Sequence, residues 1–185
     1  MVKIVRYEDL YEKEIIEEIL NGKIFIYPSD TVYRIGCDAT NVEAILKIRY
    51  AKDKEQKPFS VIAPSKSWIL KNFKVNKRYI EKLPGPFTYI LKKKKKNIIP
   101  LEVSTIDVLG IRIPDHKFTK IIQKTKRPFI TADINKIGKK PITNINKIPR
   151  KILKYIDIII DDGEIDNSPS SIIDMRNDIP QIVKR

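Results

Sequence analysis

One stretch, Lys23-Ile-Phe-Ile-Tyr-Pro-Ser-Asp-Thr-Val-Tyr-Arg-Ile-Gly-Cys-Asp-Ala-Thr-Asn41, restricts the fold more than any other. Ile24 to Tyr27 is a short apolar run that suits a buried strand. Pro28 has no N–H to give a sheet ladder, so the strand stops there. Ser29, Asp30 and Thr31 make a polar turn, and Val32 to Ile35 returns as a second apolar run. Gly36-Cys37-Asp38 then leads to Asn41, a good cap for a helix starting at Val42. This arrangement leaves two hydroxyls and a carboxylate at the end of a rigid sheet, a usual position for ligand-binding groups. An ordinary strand–turn–strand accounts for the same letters equally well.

The rest of the chain repeats the alternation of short apolar runs with amphipathic segments. Further strands are expected at Val2–Val5, Phe59–Ile62, Phe87–Leu91, Val108–Pro114, Pro128–Asn135, Ile156–Ile160, Ser170–Asp174 and Pro180–Arg185. Helices are expected at Glu8–Leu20, Val42–Tyr50, Ser65–Asn72, Asn76–Leu83, Lys117–Thr125 and Ile152–Tyr155. Mixed elements at hairpin-like spacings imply an α+β fold with a largely antiparallel or mixed twisted sheet. No repeat or linker interrupts the 185 residues, so a single domain spanning 1–185 is expected.

Composition narrows the function classes. No apolar run reaches the roughly 20 residues of a membrane span, and the N-terminus lacks a signal-peptide core, so a cytoplasmic protein is expected. The single cysteine, Cys37, excludes an internal disulfide and any multi-thiolate metal site. It reads as a small buried filler. The lone histidine, His116, reads as structural. A net charge of +14 fits anionic partners such as nucleotides or RNA, and equally fits a general bias toward Ile and Lys. The run Lys92 to Lys96 reads as a solvated hairpin tip, with an RNA contact as the alternative.

Strand ends deliver scattered polar groups: Thr31, Lys52 to Lys57, Arg112, Asp133 with Asn135, Ser170 with Ser171, and Arg185. Only a concave sheet could bring them together. The stretch from Tyr27 to Ala39 resembles the Tyr-Pro-Thr-Asp-Thr-Val-Tyr-Gly-Leu-Gly-Cys-Asp-Ala signature of the YrdC/Sua5 family, the L-threonylcarbamoyladenylate synthases. Matches continue at Lys57-Pro-Phe-Ser60, Pro84-Gly-Pro-Phe-Thr88, Gly110-Ile-Arg-Ile-Pro-Asp-His116, Pro128 to Gly138, Pro169-Ser-Ser-Ile-Ile-Asp174 and Arg185.

The resemblance implies a twisted mixed α/β sheet around a positive cavity. It implies a reaction joining L-threonine, bicarbonate and ATP into threonylcarbamoyl-AMP and pyrophosphate, with Mg²⁺, for N6-threonylcarbamoyladenosine at position 37 of tRNA. It implies a threonine site of Thr31, Arg112 and Ser170, and a nucleotide site of Lys52, Lys54, Lys57, Asp133, Asn135, Thr143 and Arg185. No dedicated metal ligands or covalent catalytic group are implied. Implied partners are tRNA or double-stranded RNA and other tRNA-modification proteins, with no membrane partner.

Three departures stand out. The family's Lys-x-Arg before the central strand falls on Ala51 and Asp53, or, shifted by one, on Lys52 and Lys54. Asp133 replaces a Ser in the Ser-Thr-Ser-Ala-Asn segment, and Arg34 replaces a Gly. Two readings stay open here: a synthase, and a divergent paralogue with weak or no catalysis that binds nucleotide or double-stranded RNA.

Overall fold

The period-2 alternation along the apolar runs becomes a sheet with two unlike faces. The structure is a computed structural model that describes residues 2–52, 57–135, 139–177 and 179–183. Its strands are β1 (Lys3–Arg6), β2 (Phe25–Tyr27), β3 (Arg34–Gly36), β4 (Ser60–Ile62), β5 (Phe73–Lys74), β6 (Phe87–Lys93), β7 (Val108–Arg112), β8 (Phe129–Asp133), β9 (Ile158–Asp161), β10 (Ser171–Asp174) and β11 (Gln181–Val183). Its helices are α1 (Glu12–Leu20), α2 (Val42–Ala51), α3 (Lys66–Asn72), α4 (Lys77–Ile80), α5 (Lys117–Lys124) and α6 (Arg150–Leu153). The strands form one sheet in the order β1-β9-β2-β3-β8-β4-β7-β6-β10-β11, with β5 paired to β6. Parallel pairs (β1/β9, β2/β9, β4/β7, β6/β10) mix with antiparallel ones such as β2/β3, β3/β8 and β6/β7. The expected mixed sheet is therefore present, with the 23–41 stretch at its centre.

One face is apolar throughout. Ile24, Ile26, Ile35, Cys37, Val61, Ala63, Ile111 and Ile130 pack with residues of α2, α3, α4 and α6 in the larger core. The opposite face is apolar over only part of its area. There Phe25, Tyr27, Ile62, Phe129, Ile158 and Ile160 pack under Ile15 and Ile19 of α1 and Phe118 and Ile122 of α5. Farther along the same strands, the positions that alternation assigns to this face are polar: Arg34, Ser60, Thr88, Arg112, Thr131 and Asp133. A helix has nothing apolar to cover there, and the area is a polar floor.

Two glycines keep that floor flat. A Cβ on Gly36 would lie 1.9 Å from the Ile130 carbonyl oxygen, and one on Gly110 would lie 2.3 Å from Ser60 Oγ. Neither position has room for a side chain, because neighbouring strands close on it.

Helix boundaries differ from the sequence expectation at α1 and α4, and α6 (Arg150–Leu153) begins and ends two residues before the expected Ile152–Tyr155. A 3₁₀ turn over Tyr7–Asp9 precedes α1, which begins at Glu12. The expected helix from Asn76 to Leu83 is the four-residue α4, ending just before the Pro84-Gly-Pro86 breaker. In addition, β6 runs two residues past Leu91, and Lys93 is buried with its ammonium 3.5 Å from the Ser104 carbonyl.

Candidate functional site

Two polar clusters stand on the floor, one at each end. The first is built by the β2–β3 turn. Ser29 Oγ donates to the Val32 carbonyl at 2.7 Å and accepts from the Thr31 and Val32 N–H groups at 3.3 Å. That local turn fixes the Thr31 hydroxyl 3.1 Å from Ser29 Oγ, and both residues are buried. Arg112, at the end of β7, is fully buried and donates from Nη2 to Asp30 Oδ1 at 2.5 Å. The other Asp30 oxygen accepts the Asp115 N–H at 3.1 Å, and the Asp30 carbonyl accepts from Asn167 Nδ2 at 3.2 Å. Asp30 thereby orients the guanidinium, as a buried ion pair must be held to offset its desolvation. Beside Arg112, Thr88 Oγ1 and Ser170 Oγ lie 3.0 Å apart. The fold thus brings Thr31, Arg112 and Ser170, distant in sequence, to one end of the floor.

The second cluster surrounds the end of β8. Tyr27, Arg34 and Asp133 are register partners across β2, β3 and β8. The two departures noted in the sequence face each other: the Arg34 guanidinium forms an ion pair with the Asp133 carboxylate. Arg34 Nε also lies 3.4 Å from Thr131 Oγ1. Arg34 reaches across to β8 and neutralises the carboxylate placed there. Burial pushes the Tyr27 hydroxyl up to about 12, while Thr131 and the Arg34 and Arg112 cations pull it down. Tyr27 therefore stays a neutral phenol between the two clusters.

Lys52, at the C-terminal end of α2, is buried and donates to the Asp133 carbonyl at 2.9 Å and the Asn135 carbonyl at 3.2 Å. It ties the helix end to the turn after β8. A cavity of about 190 Å³ opens there, lined by Lys52, Asn135, Lys139 and Lys151 with an apolar wall of Ile134 and Ile152. Asn135 Nδ2 donates to the Lys140 carbonyl at 2.6 Å. Lys57 is exposed, and its carbonyl accepts from Arg49 at 3.3 Å. Thr143 stands outside this group, its hydroxyl 3.2 Å from Lys147 Nζ. Lys54 and Arg185 lie outside the described residues.

A third polar region borders the first cluster. A cavity of about 380 Å³ is lined by Ser29, Asp30, Asp115, His116, Asp162 and Glu164, among others. His116 caps α5, with Nδ1 accepting the Phe118 N–H at 3.1 Å, and Nε2 meets Asp162 at 3.0 Å. Cys37 is buried, and burial raises its thiol well above the ordinary value, as befits a filler.

Tyr27, Thr88 and Thr131 were not among the expected site residues, and Asp30 was read only as the carboxylate of the polar turn. Their signal was present in part: Phe129-Ile-Thr-Ala-Asp133 alternates so that Thr131 and Asp133 share one face. Pairing Asp30 with Arg112, 82 positions away, required the fold.

The family model described as telomere recombination, covering Sua5, YciO and YrdC, matches residues 17–185. The chain belongs to the Sua5/YciO/YrdC family. A Methanocaldococcus jannaschii protein provisionally named threonylcarbamoyl-AMP synthase is 38% identical, over 96% of this chain and 88% of the relative. The structure of P. abyssi Sua5 complexed with L-threonine superposes with a TM-score of 0.83 at 26% identity, covering all of this chain and 57% of that one. The chain thus spans a little over half the length of that Sua5. E. coli YciO superposes with a TM-score of 0.83 over 95% of its chain, and at 19% identity that likeness concerns the fold alone.

Proposed function

We propose that this protein is an L-threonylcarbamoyladenylate synthase, a nucleotidyltransferase that makes threonylcarbamoyl-AMP and pyrophosphate from L-threonine, bicarbonate and ATP. The observation that carries the reading is the convergence of Thr31, Arg112 and Ser170 at one end of a single polar floor; a basic cleft lined by Lys52, Lys139 and Lys151 opens where β8 ends. The name of the M. jannaschii relative and the threonine bound to P. abyssi Sua5 support it.

Arg112 takes the threonine carboxylate in this reading, since a buried planar guanidinium suits a two-pronged oxyanion. Thr31 and Ser170 orient the rest of the amino acid. The amine adds to bicarbonate, releasing water and leaving a carbamate. A carbamate oxygen then attacks the α-phosphorus of ATP, forming the mixed anhydride and expelling pyrophosphate. The chain needs no covalent nucleophile for this, only positioning and charge neutralisation. The Lys52–Asn135–Lys139 cleft takes the nucleotide, with Lys57 and Asp133 among the contacts that the resemblance implies. Lys54, Thr143 and Arg185 complete the nucleotide contacts implied by the resemblance. Among the described residues no group of three His, Cys, Asp or Glu side chains could hold a metal ion. In this reading Mg²⁺ would enter with the triphosphate and supply charge neutralisation.

The whole chain is read as one YrdC-like domain, working in the cytoplasm beside tRNA or double-stranded RNA and other tRNA-modification proteins. No helix among the described residues is long and apolar enough to cross a membrane. The test is pyrophosphate release from ATP and Mg²⁺ with bicarbonate. Release that depends on threonine is expected. ATP bound by calorimetry with no threonine-dependent release would instead favour the non-catalytic nucleotide-binding paralogue. The Asp133 carboxylate, on the residue whose backbone carbonyl holds Lys52, is the feature that favours that second reading.

A further inference from the structure

The charge of this chain is concentrated in one corner of the fold. Between Lys66 and Lys96 lie eleven Lys and Arg against one acid, Glu81, a net of +10 in a chain of net +14. Nine of the eleven are exposed. Glu81 is already engaged, with Lys66 at 3.7 Å and Lys77 at 3.8 Å. These residues lie on α3, β5, α4, the far end of β6 and the turns that follow α4 and β6.

The corner is built at an electrostatic cost. β5 pairs with β6 so that Lys74 is the direct register partner of Lys92, and both are exposed. Like charges opposed across a strand pair destabilise a sheet. Lys94 reaches back to the Leu70 carbonyl at 2.7 Å, which adds another cation to the same corner. Folding gains nothing from opposing lysines in this way; an anion bridging them would.

The surface is bare of apolar anchors. Among the described residues, the large exposed hydrophobic side chains all fall outside 66–96. A membrane-surface element presents an apolar face to the acyl boundary, and a protein-docking surface has an apolar centre. A phosphate backbone requires neither, since its contacts are charge contacts made without reading sequence. Thr88, Ile90 and Lys92 alternate onto one face of β6, so Lys92 continues the polar floor, about 13 Å along the strand from Thr88 at 3.3 Å per residue.

We propose that the α3–β5–α4–β6 corner is a docking surface for the phosphate backbone of RNA. The choice of RNA over DNA rests on the proposed function, whereas the docking of a polyphosphate does not.

The test is fluorescence anisotropy with a labelled RNA duplex of about 20 base pairs, from about 50 to 200 mM salt. Each lost phosphate contact flattens the slope of log affinity against log salt by about 0.9. The variant Lys74→Gln/Lys92→Gln/Lys95→Gln/Lys96→Gln should flatten it by up to about 3.6 and weaken binding at least tenfold. A control with the same total charge, Lys13→Gln/Lys47→Gln/Lys120→Gln/Lys154→Gln, should stay within twofold of the parent. Thermal melts accompany both. If the quadruple variant melts early, Lys95→Gln/Lys96→Gln alone should still flatten the slope by up to about 1.8.

Equal losses in patch and control variants overturn the proposal, as does absence of binding at low salt. Tighter capture of phosphatidylserine vesicles than of RNA also overturns it, and a DNA duplex bound tighter than RNA overturns the choice of RNA. Threonine-dependent pyrophosphate release is measured separately, so failure of docking and failure of the synthase reading are told apart.

Discussion

The Arg34–Asp133 ion pair allows a double-mutant test of whether two departures from the family signature compensate each other. Arg34 is nearly buried, with 8% of its side chain exposed, while Asp133 is 55% exposed. Exposed pairs are worth about 0–1 kcal/mol, whereas breaking a buried pair costs about 3–5 kcal/mol. This pair lies between, and the buried partner is the cation. Asp133→Ser strands that cation and should cost about 2 kcal/mol. Arg34→Gly returns a half-exposed carboxylate to water cheaply, but adds about 1 kcal/mol for glycine in a central strand and the loss of the packed arginine stem. With both changes no charge is stranded, so the double variant should be more stable than the sum of the singles by about 1.5 kcal/mol. For a chain of this size that is a difference of about 3–6 °C in melting temperature. Urea unfolding of the four proteins at one pH and salt measures it, with equal m-values as the check on two-state behaviour. Additivity within about 0.5 kcal/mol would refute the coupling. ATP calorimetry on the same set adds a functional readout: Asp133→Ser removes a negative charge from the cleft and should tighten ATP binding about fivefold for each kcal/mol of repulsion relieved. Unchanged affinity would place the carboxylate outside the phosphate path.

Three other outcomes follow from single residues. Arg112→Lys keeps the charge but not the fork, and should weaken threonine binding at least tenfold by calorimetry while ATP binding persists. Gly36→Ala puts a methyl 1.9 Å from the Ile130 carbonyl oxygen, so several kcal/mol of stability should be lost, read as a lower urea midpoint or failure to fold. His116 has its pKa lowered below 6.5, chiefly by burial, against the upward pull of Asp162. The unfolded chain takes up this proton first, so the contribution is intact above 6.5 and is lost as pH falls from there toward the folded value. Urea midpoints at pH 7.5 and 5.5 should therefore differ less in His116→Asn, which keeps a capping side chain, than in the parent.

Every strand but the two-residue β5, the helices α1, α2, α3 and α5 and the mixed sheet were legible in the letters, because period-2 and period-3.6 burial leave local patterns. Asn41 was legible as a cap for the same reason: its side-chain Oδ1 accepts the Ala44 N–H, three residues on. The 23–41 stretch could be read as a strand pair with hydroxyls at its turn, and the resemblance linked it to threonine chemistry. Partners far apart in sequence were beyond that reading. Arg112 meeting Asp30, Ser170 meeting Thr88 and Arg34 meeting Asp133 each span at least 82 positions. Sheet order and register decide those meetings, and a one-residue slip would turn every one of these side chains to the opposite face. The structure likewise redirected Lys52, which two backbone carbonyls hold between α2 and the turn after β8. The sequence by itself determined which residues are polar, apolar or strand-breaking, and so which elements form. Only the tertiary structure decided which polar residues share a floor, because pairing energies between distant strands are a property of the closed sheet and not of any segment.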